Sequence, residues 1–198
     1  MVRKLVLAGL MALATSAAWG TSVTAVTVTP DSGNTFNNGG LYTLGFEFSI
    51  SGPVTVDSLG YFSPSILLES HDVGIYTTGG TLLASATVTA ADTLVGNFTF
   101  QSISPLNLAA GNYIIAGTSG ATDLYAFNPT TVSFMAGMTF VESRYNSGAS
   151  LAFPANPDIG VGYFGPNFTV SSAPEPSSIL LLTSSLLLGL GVKRMKKS

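Results

Sequence analysis

The chain has 198 residues, seven Lys and Arg against ten Asp and Glu, a net charge of −3 and no cysteine. Disulfide stapling, thiol chemistry and Cys-ligated zinc are thereby excluded. The charge is unevenly spread: between Thr21 and Ser172 the acids Asp31, Glu47, Asp57, Glu69, Asp72, Asp92, Asp123, Glu142 and Asp158 are opposed by Arg144 alone, a net charge near −8 that excludes electrostatic binding of nucleic acid.

The first twenty residues carry the pattern of a secretory signal. Arg3 and Lys4 make a positive n-region, Leu5 to Ala14 a short apolar h-region, and small residues follow. Cleavage after Ala18 or after Gly20 satisfies the small-residue rule, and the spacing leaves both open. The expectation is a signal helix over residues 1–20, read by the Sec translocation machinery, and a mature chain that begins in the periplasm.

Residues 21–172 read as one all-β domain, large enough to bury roughly two-thirds of its unfolded surface. Phe46, Phe48 and Ile50 alternate with Gly45, Glu47 and Ser49, the two-residue period of a strand with one wet face. Leu82, Ala84, Ala86 and Val88 alternate with Leu83, Ser85, Thr87 and Thr89 in the same way, as do Leu94, Phe98 and Phe100 with Asn97, Thr99 and Gln101. Turn-forming clusters at Thr29 to Gly40, Thr78 to Gly80 and Ser147 to Asp158 separate such runs. Around ten strands at this spacing predict two packed antiparallel sheets, a β-sandwich of jelly-roll or Greek-key type.

Two local features sharpen the expectation. Val73 to Leu83 reads as strand, tight turn and strand, with Gly79 and Gly80 free to adopt the positive φ of a hairpin turn. Leu106 to Ile115 resembles the tyrosine corner of Greek-key sandwiches, in which the hydroxyl of Tyr113 bonds backbone a few residues upstream; the competing reading makes Tyr113 an ordinary core residue. On Gly74-Ile75-Tyr76, Gly80 to Thr87 and Leu106 to Tyr113, the stretch from Leu41 to Ser119 is similar to an all-β domain of uncharacterised function found in secreted bacterial proteins, often beside carbohydrate-active modules. That resemblance implies a sugar-rich setting and brings no catalytic residues or cofactor with it.

Reactive groups are few. His71 is the one imidazole, and Asp72 beside it points to the opposite face of a strand, so the pair is badly placed as an oriented base. The expectation for His71 is a partly exposed residue at a strand start. Glu47, Glu69 and Glu142 are the carboxylates from which a glycosidase pair would be drawn, and their mutual placement is open. Asp31, Asn34 and Asp72 form no Asp-x-Asp-x-Asp calcium loop, so no metal site is expected. Asn97-Phe98-Thr99 and Asn167-Phe168-Thr169 match the N-glycosylation triplet, which a bacterial secretory chain has little use for. Sugars stack their apolar faces on aromatic rings. Trp19 lies at the signal cleavage site, which leaves Tyr42, Tyr61, Tyr76, Tyr125, Tyr145 and Tyr163 either as platforms or as core residues. Tyr125 and Tyr145 are the candidate sugar-binding residues, because alternation is interrupted around them.

The C-terminal 26 residues, 173–198, carry a second address. Pro174-Glu175-Pro176 precedes an apolar run from Ile179 to Val192, and Lys193, Arg194, Lys196 and Lys197 close the chain. A helix over about residues 177–192 spans roughly 24 Å against a hydrocarbon core of roughly 30 Å, a shortfall that snorkelling cations make up. Basic residues stay cytoplasmic, so the four cations face inward and the Pro-Glu-Pro element hangs outside, extended and solvated. The motif, the span and the basic end together resemble the PEP-CTERM sorting signal of Gram-negative bacteria that make extracellular polysaccharide, with Ala173 where Val is usual. The resemblance implies recognition and cleavage near the motif by an exosortase, an integral-membrane protease. The expected protein is thus a non-catalytic surface or matrix component, tethered to the inner membrane as a precursor and associated with exopolysaccharide or biofilm; the alternatives are a carbohydrate-binding module and, behind it, a glycoside-active enzyme.

Overall fold

The computed structural model describes residues 22–29, 35–37, 39 and 41–171. The signal segment, Trp19, Asp31, Asn34 and the sorting tail, with Pro174, Glu175, Pro176, Lys193, Arg194, Lys196 and Lys197, lie outside the described residues. Among the described residues no helix is long and apolar enough to cross a membrane.

The described chain is all strand and connection. In order it forms β1 (Ser22–Thr24), β2 (Val26–Thr29), β3 (Thr35–Phe36), β4 (Tyr42–Ile50), β5 (Val54–Phe62), β6 (His71–Thr77), β7 (Leu82–Val88) and β8 (Thr93–Val95). There follow β9 (Phe98–Leu108), β10 (Gly111–Thr118), β11 (Tyr125–Phe127), β12 (Thr131–Phe134), β13 (Met138–Ser147), β14 (Asn156–Asp158), β15 (Tyr163–Phe164) and β16 (Pro166–Ser171). Sixteen strands replace the ten or so expected, since pieces as short as β3 and β15 have too few residues to show a period.

Two large sheets, paired antiparallel throughout, enclose the core. One runs β1-β16-β5-β9-β8 and the other β14-β13-β4-β10-β6-β7. Phe46, Phe48 and Ile50 point inward from β4 as their alternation predicts, and Val56, Leu59 and Phe168 face them from the other sheet. Phe48 meets Phe168 at 5.1 Å between ring centroids, and Phe46 meets Phe164 at 5.4 Å. Each such ring contributes about 1.5–3 kcal/mol by leaving water. A small sheet, β15-β11-β3, lies at one end of the sandwich, and β12 pairs with β2.

Several local expectations are corrected. The outer face of β4 is not wet: Glu47 is buried there, and Leu151 and Phe153, from the segment between β13 and β14, pack on Tyr76 and Ile114 of the same face. The alternation along β7 changes phase at a bulge, where Ile75 faces Ala84 but Tyr76 faces Leu82. Leu83 therefore packs on the core while Leu82 is exposed. Leu94 does not continue into Phe98; a two-residue turn with Gly96 at φ 61° separates β8 from β9. In the hairpin from β6 to β7 only Gly80 takes a positive φ, 90°, in a three-residue loop closed by Gly80 N–H donating to Thr77 O at 3.0 Å. Tyr113 does form the corner: its hydroxyl donates to Ala109 O at 3.1 Å, while its ring packs on Phe48.

The two sheets are left unpaired along β7 and along most of β9, and a groove of about 600 Å³ runs between these edges. Both edges are blunted. The bulge interrupts β7, and β9 inserts Ile103, Ser104 and Pro105 where β5 has only Asp57.

Candidate functional site

At the end of the sandwich that holds Tyr42, Leu44 and Tyr145, the inner face of the β13-β4 pair continues past the main core and meets the small sheet β15-β11-β3. Between them lies a depression of about 410 Å³, lined by the rings of Phe36, Tyr42, Tyr125, Phe127, Tyr145 and Tyr163. Leu44, Pro157 and Asp158 complete it. The volume is that of a small-molecule site, roughly 300–1,000 Å³.

Alternation explains how strands gather these rings. Tyr42 and Leu44 occupy the same face of β4 as Phe46, and Tyr145 stands directly across from Leu44 on β13. Phe127 faces Tyr163 and Tyr125 faces Phe36 across the small sheet. Tyr125 is the hub: its ring meets Phe36 at 6.1 Å, Phe127 at 6.4 Å and Tyr163 at 6.0 Å, all three edge-on. Only 3 % of Tyr125 is exposed, and burial pushes its hydroxyl up to about 12. It forms the floor. Phe36, at 51 % exposed, and the half-buried Phe127, Tyr145 and Tyr163 offer the accessible ring surface. Asp158 accepts the Tyr163 hydroxyl. Burial, then that bond and charge, push the Tyr163 hydroxyl further up.

Behind the floor, two loops clamp each other. Glu69 Oε1 accepts Thr122 N–H at 2.7 Å, the Thr122 hydroxyl at 2.9 Å and Asp123 N–H at 3.0 Å. In return Asp123 Oδ2 accepts Leu68 N–H at 2.9 Å and Glu69 N–H at 3.0 Å. Burial alone pushes the Glu69 carboxyl up, but the N–H groups of Asp123, Thr122 and Ala121 and the Thr122 hydroxyl outweigh it and lower the carboxyl to about 2. Asp123 stands two positions before Tyr125, so the clamp sets where the floor begins.

His71 lies beneath this clamp and is fully buried, which corrects the expectation of partial exposure. Its ring stacks on Tyr61 at 3.7 Å with 2° between planes. Nδ1 is 2.9 Å from Thr118 O, and Nε2 is 3.2 Å from Asp123 Oδ2. Both ring nitrogens are thus engaged by partners within the fold. Neither nitrogen is left to act as a base toward solvent. Asp72 does point away, exposed, and accepts the Thr87 hydroxyl at 2.6 Å.

Glu69, His71 and Asp123 bring ligand atoms within 4.8 Å of one another, with donor types that zinc accepts. Glu69 Oε1 already takes three donors, however, and Asp123 Oδ2 takes two backbone N–H groups beside the His71 contact, so these oxygens hold the two loops together. The group is built as a loop clamp. Glu47 and Glu142 are equally committed: Arg144 Nη2 lies 2.6 Å from Glu47 Oε2 and 2.7 Å from Glu142 Oε1, and Asn112 donates to Glu47 Oε1 at 3.1 Å. This network is on the outer face of β4, opposite the depression.

The family described as a domain of unknown function, DUF4082, matches residues 27–165. The chain belongs to that family. No curated protein matches the chain. The DUF4082 match spans every residue that lines the depression and both loops of the clamp.

Within the DUF4082 domain the two tyrosines singled out by sequence, Tyr125 and Tyr145, fall in one depression although 20 positions apart. Tyr61 and Tyr76 are instead buried core residues, while Tyr42 and Tyr163 join the depression. Phe36 and Phe127 were missed, because only tyrosines were weighed as platforms and neither phenylalanine lies in a run long enough to read as a strand. Of the two glycosylation triplets, Asn167 is fully buried and serves as a staple: its side chain donates to Val26 O at 2.7 Å and accepts Val26 N–H at 3.1 Å. Asn97 donates to Val28 O at 3.0 Å.

Proposed function

We propose that this protein is a non-catalytic exported surface or extracellular-matrix component that associates with exopolysaccharide. In this reading the Sec machinery delivers it by way of a signal over residues 1–20. An exosortase-type membrane protease then processes it near Pro174-Glu175-Pro176, with Lys193, Arg194, Lys196 and Lys197 on the cytoplasmic side of the inner membrane. The observation that carries the association with sugar is the aromatic depression, six rings around a space of about 410 Å³, since rings and hydroxyls are what the faces and edges of a pyranose pair with. The non-catalytic reading is supported by His71, Glu47, Glu69 and Glu142, all spent on internal bonds. The Tyr113 corner, together with β4 lying between β13 and β10, supports a Greek-key type for the sandwich.

Two experiments separate delivery from binding. Removal of Ala173 to Ser198 is expected to release the protein into the periplasm or medium, and unchanged attachment would contradict the sorting role. The carbohydrate-binding reading is favoured by the half-buried Tyr145 and Tyr163 facing one depression. For it, Tyr145→Ala is expected to weaken retention on the producer's extracellular polysaccharide by about tenfold, the loss of one stacked ring. Retention equal to that of the unaltered protein would remove this reading and leave the sorting role standing.

A further inference from the structure

We propose that the depression selects uncharged polysaccharide and rejects acidic polysaccharide, an inference that rests on reading the depression as a glycan site. Its polar complement is tyrosine hydroxyl and one carboxylate. Asp158 is the one charged residue among those that line it, and it accepts the Tyr163 hydroxyl. Arg144, the one Lys or Arg among the described residues, cannot supply a counter-charge: Glu47 and Glu142 hold its guanidinium on the opposite face of β4.

An uncharged sugar brings hydroxyl donors to Asp158, and a hydrogen bond to a carboxylate is stronger than one between neutral groups. It also brings apolar ring faces to Phe36, Phe127, Tyr145 and Tyr163. A uronate, sulfate or phosphate group would instead lose water beside a carboxylate with no cation to pair with, inside a domain whose net charge is near −8. The specificity-determining residue is therefore Asp158, and the rings supply affinity for either class equally.

The test is affinity electrophoresis of the purified protein in gels cast with laminarin, dextran or galactomannan as neutral polymers and with alginate, hyaluronan or polygalacturonate as acidic ones. At least one neutral polymer is expected to retard the protein, with retardation lost in Tyr145→Ala, and no acidic polymer is expected to do so. Asp158→Asn, which keeps an acceptor for Tyr163 but removes the charge, is expected to weaken neutral binding about threefold and to raise acidic binding about tenfold, so that the preference for neutral polymer falls on both counts. Retardation by an acidic polymer as strong as by any neutral one, and sensitive to Tyr145→Ala, overturns the selectivity while sparing the glycan site. Absence of retardation by all six overturns the glycan site itself and the selectivity with it.

Discussion

Asn167 shows what one side chain does for this fold. Its amide satisfies both backbone groups of Val26 in a fully buried setting, so Asn167→Ala leaves a buried donor and a buried acceptor without partners, at about 1–3 kcal/mol each. A loss of about 3 kcal/mol in urea unfolding is expected, and a loss under about 0.5 kcal/mol would contradict the staple. Glu69 gives a pH signature. Its carboxyl moves from 4.5 in the unfolded chain to about 2 in the fold, so its contribution is present in full above the unfolded value and is lost as pH falls toward the folded one. Glu69→Gln should therefore unfold at lower temperature than the unaltered protein at pH ~6, with the gap narrowing at pH ~2.5; an equal gap at both would contradict the clamp. The Tyr113 corner was legible in sequence because donor and acceptor are four residues apart. The clamp was not, since Glu69 and Asp123 are separated by 54 positions and each looks like a solvated loop acid.

Among the elements, β4 is the most constrained, paired on both sides and covered on both faces. A Cβ on Gly45 would lie 2.0 Å from the Ile115 carbonyl oxygen, backbone that cannot move without breaking β10 from β4. Gly74, on β6, would meet first the methyl end of Leu82 at 2.9 Å, a side chain free to turn. Gly45→Ala is thus expected to cost about 3 kcal/mol or prevent folding, and Gly74→Ala under about 1.5 kcal/mol, as read by thermal unfolding. Equal costs would contradict the packing described for β4. The inward face of β4 was legible from its alternation. The burial of its outer face was not, because Arg144 and Phe153 reach it from positions whose register no local pattern records. The phase change in β7 was hidden for a similar reason: a bulge is defined by the partner strand, and Leu82-Leu83 in isolation fits either phase.

For the molecule as a whole, register places the two ends of the domain together and the depression far from them. Ser22 stands across from Ser171, both at one end of their sheet, while β16 runs about 20 Å from Pro166 to that exit. The depression lies at the opposite end, beside Leu44 and Tyr145, and Met138 and Ile50 mark the end near the exits. No sequence pattern announces this, since the six rings come from β3, β4, β11, β13 and β15 and meet only through the pairing of distant strands. The most direct measurement is a backbone amide NMR titration of the protein with oligosaccharides released from a neutral polysaccharide that it binds. The account predicts chemical-shift changes confined to the neighbourhood of Phe36, Tyr42, Phe127, Tyr145 and Tyr163. Changes centred on the groove between β7 and β9, with that neighbourhood silent, would contradict it.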